Sequence, residues 1–592
     1  MRNFHILFVF LLAFYNCYDY ILFRGENHKP PVKRVVCDYS SHFSENLLKL
    51  FAMKNLVVLY GSDLSSHAFE KVFDSECAFG RVLSWASKFS EKIVLFLKDN
   101  SSVSEQVSSI ISQNSNIEVI SHDCWTKSLF ISEISSALKK YEAESAIVSY
   151  ADTPFLNEKL TSELIEMHSK YAAEYSFADG FPYGLAPEII EAGTASILSE
   201  LSKTSLKGEG EKAVDREALF SVMRGDINSF EIETLIADVD YRMLRFSFEA
   251  SSKINFLACK NLFAEAQNQK IDLCDPYALS NLASKTPCVM QTVPAFYNIQ
   301  ISSKYNHKYC YSLENAGKNP SSKDFMALSD FQKILSQIKD FSENAVVSLS
   351  AFGEPLLNPE FLQFALEVIN QNDENHKISL LIETDGLLVC EELASKIAES
   401  AKSKNVEVNW IVYLDSVDKS MYANLHNCSE NDFEKALAAI PLLENHFENH
   451  VYPQFMRMKT NENQLESFYR FWKEKESPSK GELIIQKYNS VCGTLPDLKS
   501  ADLSPVNRLP CWHLRRDMTI LADGTVPFCF QLAFENTAGN ILSEGIETIW
   551  LKFSQVLKNH LVFVDELNSE KSDSKSADNK CGICDESYTF NF

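Results

Sequence analysis

Short apolar runs alternate with amphipathic helical periods along two separate stretches of this chain. Between residues 55 and 160 the runs are "NLVVLYG" (55–61), "KIVLFLK" (92–98), "IEVIS" (117–121) and "AIVSYAD" (146–152), all rich in β-branched and aromatic residues. Helical periods such as "SEQVSSIISQ" lie between them. This alternation predicts βαβ crossovers, and hence a parallel sheet with helices on both faces. It also puts Asp152, in "YADTPFLN", at the carboxyl end of a strand, the edge where open α/β sheets bind ligands.

A second series starts near residue 290. Its runs are "AFYNIQIS" (295–302), "AVVSLS" (345–350), "ISLLIE" (378–383), "VNWIVYL" (408–414), "HVYPQFMRM" (450–458) and "ELIIQKY" (482–488). Leu328, Phe331, Leu335 and Ile338 share one helical face, and Asn358 followed by Pro359 is placed to cap a helix over "PEFLQFALEVI". Six β/α units predict a partial parallel barrel, a (βα)6 arrangement whose working edge is the carboxyl end of its strands.

Composition narrows the function classes. The chain has 592 residues, 45% of them hydrophobic, enough for several buried cores. Net charge is −24 and no segment concentrates Lys and Arg, which excludes a nucleic-acid binder that relies on neutralising phosphates. The 15 cysteines are mostly isolated in a long chain, the pattern of free thiols in a reducing compartment rather than of a secreted disulfide scaffold. A cytoplasmic location follows as the expectation. The apolar stretch over residues 4–23 offers the alternative of a membrane anchor, although Asn16 and Asp19 interrupt it and no small-residue cleavage site follows. The clean strand after Met53 predicts that folding starts there, with residues 1–52 as an overextended start.

Three strand ends in the second series carry motifs. "SLSAFGEPLLNPEF" follows the second strand, "IETDGLLV" the third and "VYLDSVDKSMYANLH" the fourth. Together they resemble the radical SAM superfamily, with its G-x-G-E-P segment, T-N-G strand end and S-L-D segment. The resemblance implies S-adenosylmethionine binding by Gly353, Glu354, Pro355, Thr384, Asp385 and Gly386, with Ala351 in place of the usual first glycine. In that superfamily the cluster loop follows the first strand. Here that loop is "ISSKYNHKYCYS", with Tyr305, Tyr309 and Ser312 where three cysteines would stand. Tyr and Ser are poor substitutes for soft thiolates around iron, so a degenerate loop without radical-initiating chemistry is expected. A shifted frame through Ser303, His307 and Cys310 keeps the C-x3-C-x2-C spacing with two ligands changed.

The C-terminal segment keeps its thiols. "PCWHLRRDMTILADGTVPFC" supplies Cys511 and Cys529, and "KCGIC" supplies Cys581 and Cys584, an i, i+3 pair able to meet one metal centre. Asp523-Gly524 predicts a two-residue hairpin that aims Cys529. Cys₄ zinc and an iron–sulfur cluster are both open to such a set. The pattern C-x12-G-x4-C, a gap, then C-x2-C resembles the SPASM domain, which implies a [4Fe–4S] cluster. "AGNILSEGIETIW" (538–550) matches the helix usual between its halves. Phe590 stands where a further cysteine would, so one cluster is expected. The charged, serine-rich segment 566–580 reads as a linker. The remaining histidines show no metal spacing.

Longer segments, "VYPQFMRMKTNENQLESFYRFW" and the ending "CDESYTFNF" among them, resemble the spiro-SPASM protein family. That resemblance implies a nucleotidyltransferase-like domain over 53–260, a radical SAM-like barrel over 290–495 and a SPASM domain over 505–592. In the first of these, "FADGFPYGLAPEII" (177–190) suits the substrate loop and Asp152 becomes a candidate Mg²⁺ ligand. Yet "LYGSDLSSHAFEKVF" lacks the glycine-rich phosphate cradle, and a strand-end turn residue is the other reading of Asp152. The expectation is an iron–sulfur protein in a non-radical binding or accessory role, with a peptide or protein partner at the barrel mouth. The alternatives are a radical SAM enzyme acting on a peptide or protein, and a nucleotidyltransferase using Asp152.

Overall fold

β-branched and aromatic residues crowd the predicted runs, and each run becomes a strand in the computed structural model. It describes residues 54–99, 103–112, 114–204, 208–501, 507–569, 580–584 and 586. The apolar stretch 4–23, the proposed start region 1–52, Phe590 and most of the 566–580 linker lie outside them. No described helix is long and apolar enough to cross a membrane.

The first sheet holds β1 (Asn55–Tyr60), β2 (Ile93–Lys98), β3 (Ile117–His122), β4 (Ser145–Tyr150), β5 (Tyr175–Asp179), β6 (Glu188–Glu191) and β7 (Ile232–Ile236). Its order is β3-β2-β1-β4-β6-β5-β7. The first four strands are parallel, as the alternation requires, with Val57 beside Ile93 and Ile147. β6 runs antiparallel to both β4 and β5. The strands are apolar on both faces because helices cover both, giving two separate buried clusters on either side of the sheet.

The second sheet holds β8 (Phe296–Ile299), β9 (Asn344–Ser348), β10 (Lys377–Thr384), β11 (Val408–Tyr413), β12 (Val451–Arg457) and β13 (Ile484–Lys487), all parallel, with neighbours in chain order. A seventh strand, β14 (Asp517–Ile520), pairs parallel with β8 and extends the six expected. The Asp523-Gly524 turn forms, with Gly524 at φ 85° and Leu521 N–H donating to Thr525 O at 2.9 Å. It does not join two strands of one hairpin. β14 is taken by β8, while β15 (Thr525–Pro527) pairs antiparallel with β16 (Thr537–Asn540). The free edge of β8 decides this.

The Asn358 cap also differs from expectation. The helix runs Phe361–Asn370, two residues later than a cap at Asn358 requires. Asn358 Oδ1 accepts from Glu360 N–H at 2.9 Å and its Nδ2 donates to Ile301 O at 2.8 Å, binding the loop after β9 to the loop after β8. Leu335, Phe331 and Ile338 do share a buried face, on the helix Leu328–Ser342.

Candidate functional site

Two loops meet at the carboxyl edge of the second sheet because Gly353 lets them touch. A Cβ at Gly353 would lie 2.0 Å from Ser302 O, so only glycine permits this backbone approach. Glu354 N–H then donates to Lys304 O at 2.7 Å. The Glu354 carboxylate is buried and fully engaged: Oε1 accepts from Thr384 Oγ1 (2.9 Å) and Leu356 N–H (3.1 Å), and Oε2 from Asp385 N–H (2.9 Å). Pro355 opens the short helical turn that follows. Burial, together with the Asp385 carboxylate, pushes Glu354 well above the usual carboxylate range. Asp385 in turn accepts from Asn306 Nδ2 at 2.9 and 3.2 Å and from Leu387 N–H at 3.1 Å. Gly386 takes φ 78° beside it. The six residues matched to an S-adenosylmethionine site are thus brought together at one strand edge, and their polar atoms are largely bonded to each other.

The opening loop fills the mouth with rings. Tyr309 is buried, edge-on to Tyr305 at 5.7 Å, and lies 6.2 Å from Tyr413 and 5.3 Å from His426. Ser312 caps a local turn, donating from Oγ to Tyr309 O at 3.0 Å and accepting from Asn315 N–H at 3.2 Å. Burial raises the Tyr305, Tyr309, Tyr311 and Tyr413 phenols, which keeps them protonated. Of the shifted frame, Ser303 Oγ is buried with no hydrogen-bond partner among the described residues, Cys310 Sγ rests 3.8 Å from Met458 Sδ, and His307 lies against Asp432. Asp415 in the fourth-strand motif anchors the loop: Oδ2 accepts from Tyr311 Oη (2.6 Å) and His426 Nε2 (2.9 Å). Below the rings opens a cavity of ≈ 670 Å³ whose polar lining includes Glu383, Gln454, Arg516 and Asp517.

The C-terminal thiols belong to segments whose Val491, His513, Phe530 and Glu586 line that cavity. Cys511 precedes a short helix over Trp512–Arg516, and its N–H donates to His560 Nε2 at 3.0 Å. Arg508 holds the carbonyls of Cys581 (2.9 Å) and Cys584 (3.1 Å), fixing the Cys-x2-Cys turn. Burial raises the Cys511 thiol to about 12 and pushes the Cys529 thiol well above its usual range. Every pair among Cys511, Cys529, Cys581 and Cys584 is close enough for one thiolate to oppose ionisation of the other. Among the described residues no three of these sulfurs lie within 4.8 Å of one another. An all-thiol donor set, partly buried and self-repelling, suits a thiophilic cationic centre.

A fifth thiol joins them. Cys492 follows β13, and both Val491 and Cys492 adopt the left-handed conformation, at φ 49°. Its Sγ lies 3.8 Å from Lys580 O, and it donates a hydrogen bond to the Cys584 thiol, which lowers Cys584 and raises Cys492. No spacing rule marks Cys492; the one available signal is an isolated Cys-Gly in the loop beyond the last predicted strand. Next to the thiols, His513 Nδ1 hydrogen-bonds Asp517 at 2.5 Å, and His513 and Arg516 outweigh burial to hold Asp517 below its usual value.

In the first sheet, Asp152 lies one residue past Ala151 at the end of β4 and is buried. It accepts a bidentate pair from Arg216, Nη1 to Oδ1 at 3.0 Å and Nη2 to Oδ2 at 2.8 Å. Arg216 Nε is 3.0 Å from Glu249 Oε2, and the guanidinium lies over Tyr150 at 4.2 Å and Tyr183 at 5.7 Å. The guanidinium supplies the positive charge that a divalent cation would bring to these carboxylates.

Residues 511–585 match the SPASM family, described as an iron–sulfur cluster-binding domain. An uncharacterized protein of Treponema pallidum (strain Nichols) is 36% identical over 382 residues, covering 63% of this chain and 98% of that protein. Among solved structures, BtrN in complex with AdoMet and 2-DOIA is 14% identical over 49% of this chain and 97% of its own, with a TM-score of 0.30. A cytidylyltransferase from Leptospira borgpetersenii serovar Hardjo-bovis is 15% identical over 41% of this chain and 98% of its own, at 0.33. Scores that low assign neither fold nor chemistry.

Proposed function

The chain belongs to the family of the Treponema pallidum protein and carries an iron–sulfur cluster-binding domain, and from that premise we propose a one-cluster protein that binds a ligand at its barrel mouth without starting radical chemistry. Cys511, Cys529, Cys581 and Cys584 hold one [4Fe–4S] cluster, with Cys492 beside Cys584. Zinc on four thiolates would draw the sulfurs to about 3.8 Å of one another, whereas a cubane spreads them over separate irons. Sulfurs with no trio inside 4.8 Å favour the cubane. When bound, such a cluster supplies one-electron redox capacity.

The observation that carries the reading is the difference in donors between the C-terminal thiol cluster and the loop after β8. Five thiols make up the first, whereas in the second the three cluster-loop positions are a half-buried phenol, a buried phenol and a turn-capping serine. Protonated phenols are hard, poor iron donors. The internal bonding of Glu354 also commits both carboxylate oxygens to Thr384, Leu356 and Asp385, so a substrate amino group would have to share them. The cavity, aromatic with a few converging polar groups, suits a peptide side chain or a small amphipathic molecule. Its Tyr305, Tyr309 and Tyr413 rings pack the ligand, and Arg516 and Asp517 orient polar ends. Arg216 on Asp152 weighs against Mg²⁺-dependent nucleotidyl transfer in the first sheet.

Anaerobic purification with iron and sulfide counting tests this. About four irons per chain are expected, lost in Cys529→Ser. About eight irons, or release of 5′-deoxyadenosine from S-adenosylmethionine under reducing conditions, would revive the radical enzyme. Zinc without iron would overturn the cluster itself.

A further inference from the structure

Beyond both the thiol site and the cavity, three side chains from two distant segments converge at the outer face of the barrel mouth. His307 comes from the loop after β8. Cys428 comes from the tight connection between the helices Lys419–His426 and Glu430–Glu444, where Asn427 turns left-handed at φ 52°, and Asp432 from the first turn of the second helix. The ligand atoms of His307, Cys428 and Asp432 all lie within 4.8 Å of one another, and the three residues are partly buried.

We propose that His307, Cys428 and Asp432 form a zinc site with a fourth position for water. His307 Nε2 and Asp432 Oδ2 are 3.6 Å apart, too long for a hydrogen bond. Two ligands on one tetrahedral zinc sit about 3.3 Å apart, given metal–ligand bonds near 2.0 Å, so little movement closes the pair. The Cys428 sulfur needs to approach by no more than about 1 Å. Imidazole, thiolate and carboxylate together suit zinc better than Mg²⁺ or Ca²⁺, which prefer oxygen alone.

The charges around the trio support a cation. The buried Asp385 carboxylate faces both His307 and Cys428. Ser429 Oγ and N–H donate to Asp432 Oδ2 at 2.7 and 3.2 Å, which fixes the carboxylate in place. Lys435 Nζ is bonded to Oδ1 at 3.0 Å, while Oδ2, the acceptor of both Ser429 bonds, is the oxygen nearer His307, so a metal there takes the place of one Ser429 bond. Binding of the metal displaces the Cys428 thiol proton to solvent. A bound ion would tie the ring-filled loop to the helix pair and hold the mouth in one shape.

The test is elemental analysis of the full chain after growth with added zinc and desalting, reading zinc and iron separately. About one zinc per chain is expected, with one sulfur at about 2.3 Å and nitrogen or oxygen at about 2.0 Å in zinc-edge X-ray absorption. His307→Ala and Cys428→Ser are each expected to lower zinc at least ~10-fold with iron unchanged, and to lower the melting temperature only when zinc is present. Cys310→Ser, altering a thiol of the same loop outside the trio, should keep the zinc. Absence of zinc from the unaltered chain, equal zinc in the His307 and Cys428 variants, or four sulfurs around the zinc would overturn the site.

Discussion

Gly353 shows how one missing side chain sets the geometry of the barrel mouth. With Ser302 O at 2.0 Å from where a Cβ would be, Gly353→Ala must separate the loops after β8 and β9. The Glu354 bonds to Thr384 and Asp385 would be strained with them. A loss of about 2–3 kcal/mol is expected in denaturant unfolding, with the larger part of the disturbance at the mouth. An unchanged midpoint would mean that the backbones separate freely. Gly353, Glu354 and Asp385 are singled out in the sequence by the resemblance of their strand-end motifs to a known superfamily, and the fold adds the hydrogen bonds that join them. Cys492 and the partners of His307 are not legible this way, because nothing in local spacing records a contact across the fold.

At the scale of elements, loops that end strands settle their charges with each other. Arg216, Asp152 and Glu249 come from three separate segments around the carboxyl end of β4. Burial raises Asp63 and Glu249, and Arg216 pulls both back toward the ionised form. Arg216→Met keeps the bulk and removes the charge, leaving buried carboxylates without a partner. Destabilisation of about 3–5 kcal/mol is expected in chemical denaturation. Asp152→Asn, Arg216→Met together should recover part of it. If the single variant costs nothing, water or another cation reaches the carboxylates, and a metal-binding role for Asp152 regains ground. The Asp-Gly turn teaches a related point. Its dipeptide predicts the reversal of the chain correctly, but which strands the flanking segments join depends on the vacant edge of β8, which lies far away in sequence.

On the scale of the whole molecule, the described residues from Lys54 onward pack as one unit, and the C-terminal segment packs against both sheets. The helix Ile546–Asn568 gives Ile549, Trp550 and Phe553 to the core of the second sheet and Leu557 to that of the first. Trp550 Nε1 donates to Thr292 O at 2.9 Å, and Arg515 Nη1 to Leu244 O at 2.6 Å. Leu557→Ala should cost about 2–5 kcal/mol while unfolding remains a single transition for both sheets. Two resolved transitions would mean that the helix does not couple them. By itself, the sequence determined the two α/β series, their strand order of appearance and the four-cysteine pattern, because period, turn chemistry and close spacing are local properties. Only the tertiary structure decided the occupant of the Asp152 carboxylate, the fifth thiol at Cys584, the strand that completes the second sheet and the His307–Cys428–Asp432 trio. Each of those joins segments whose separation along the chain carries no signal, and chain folding alone brings them within reach.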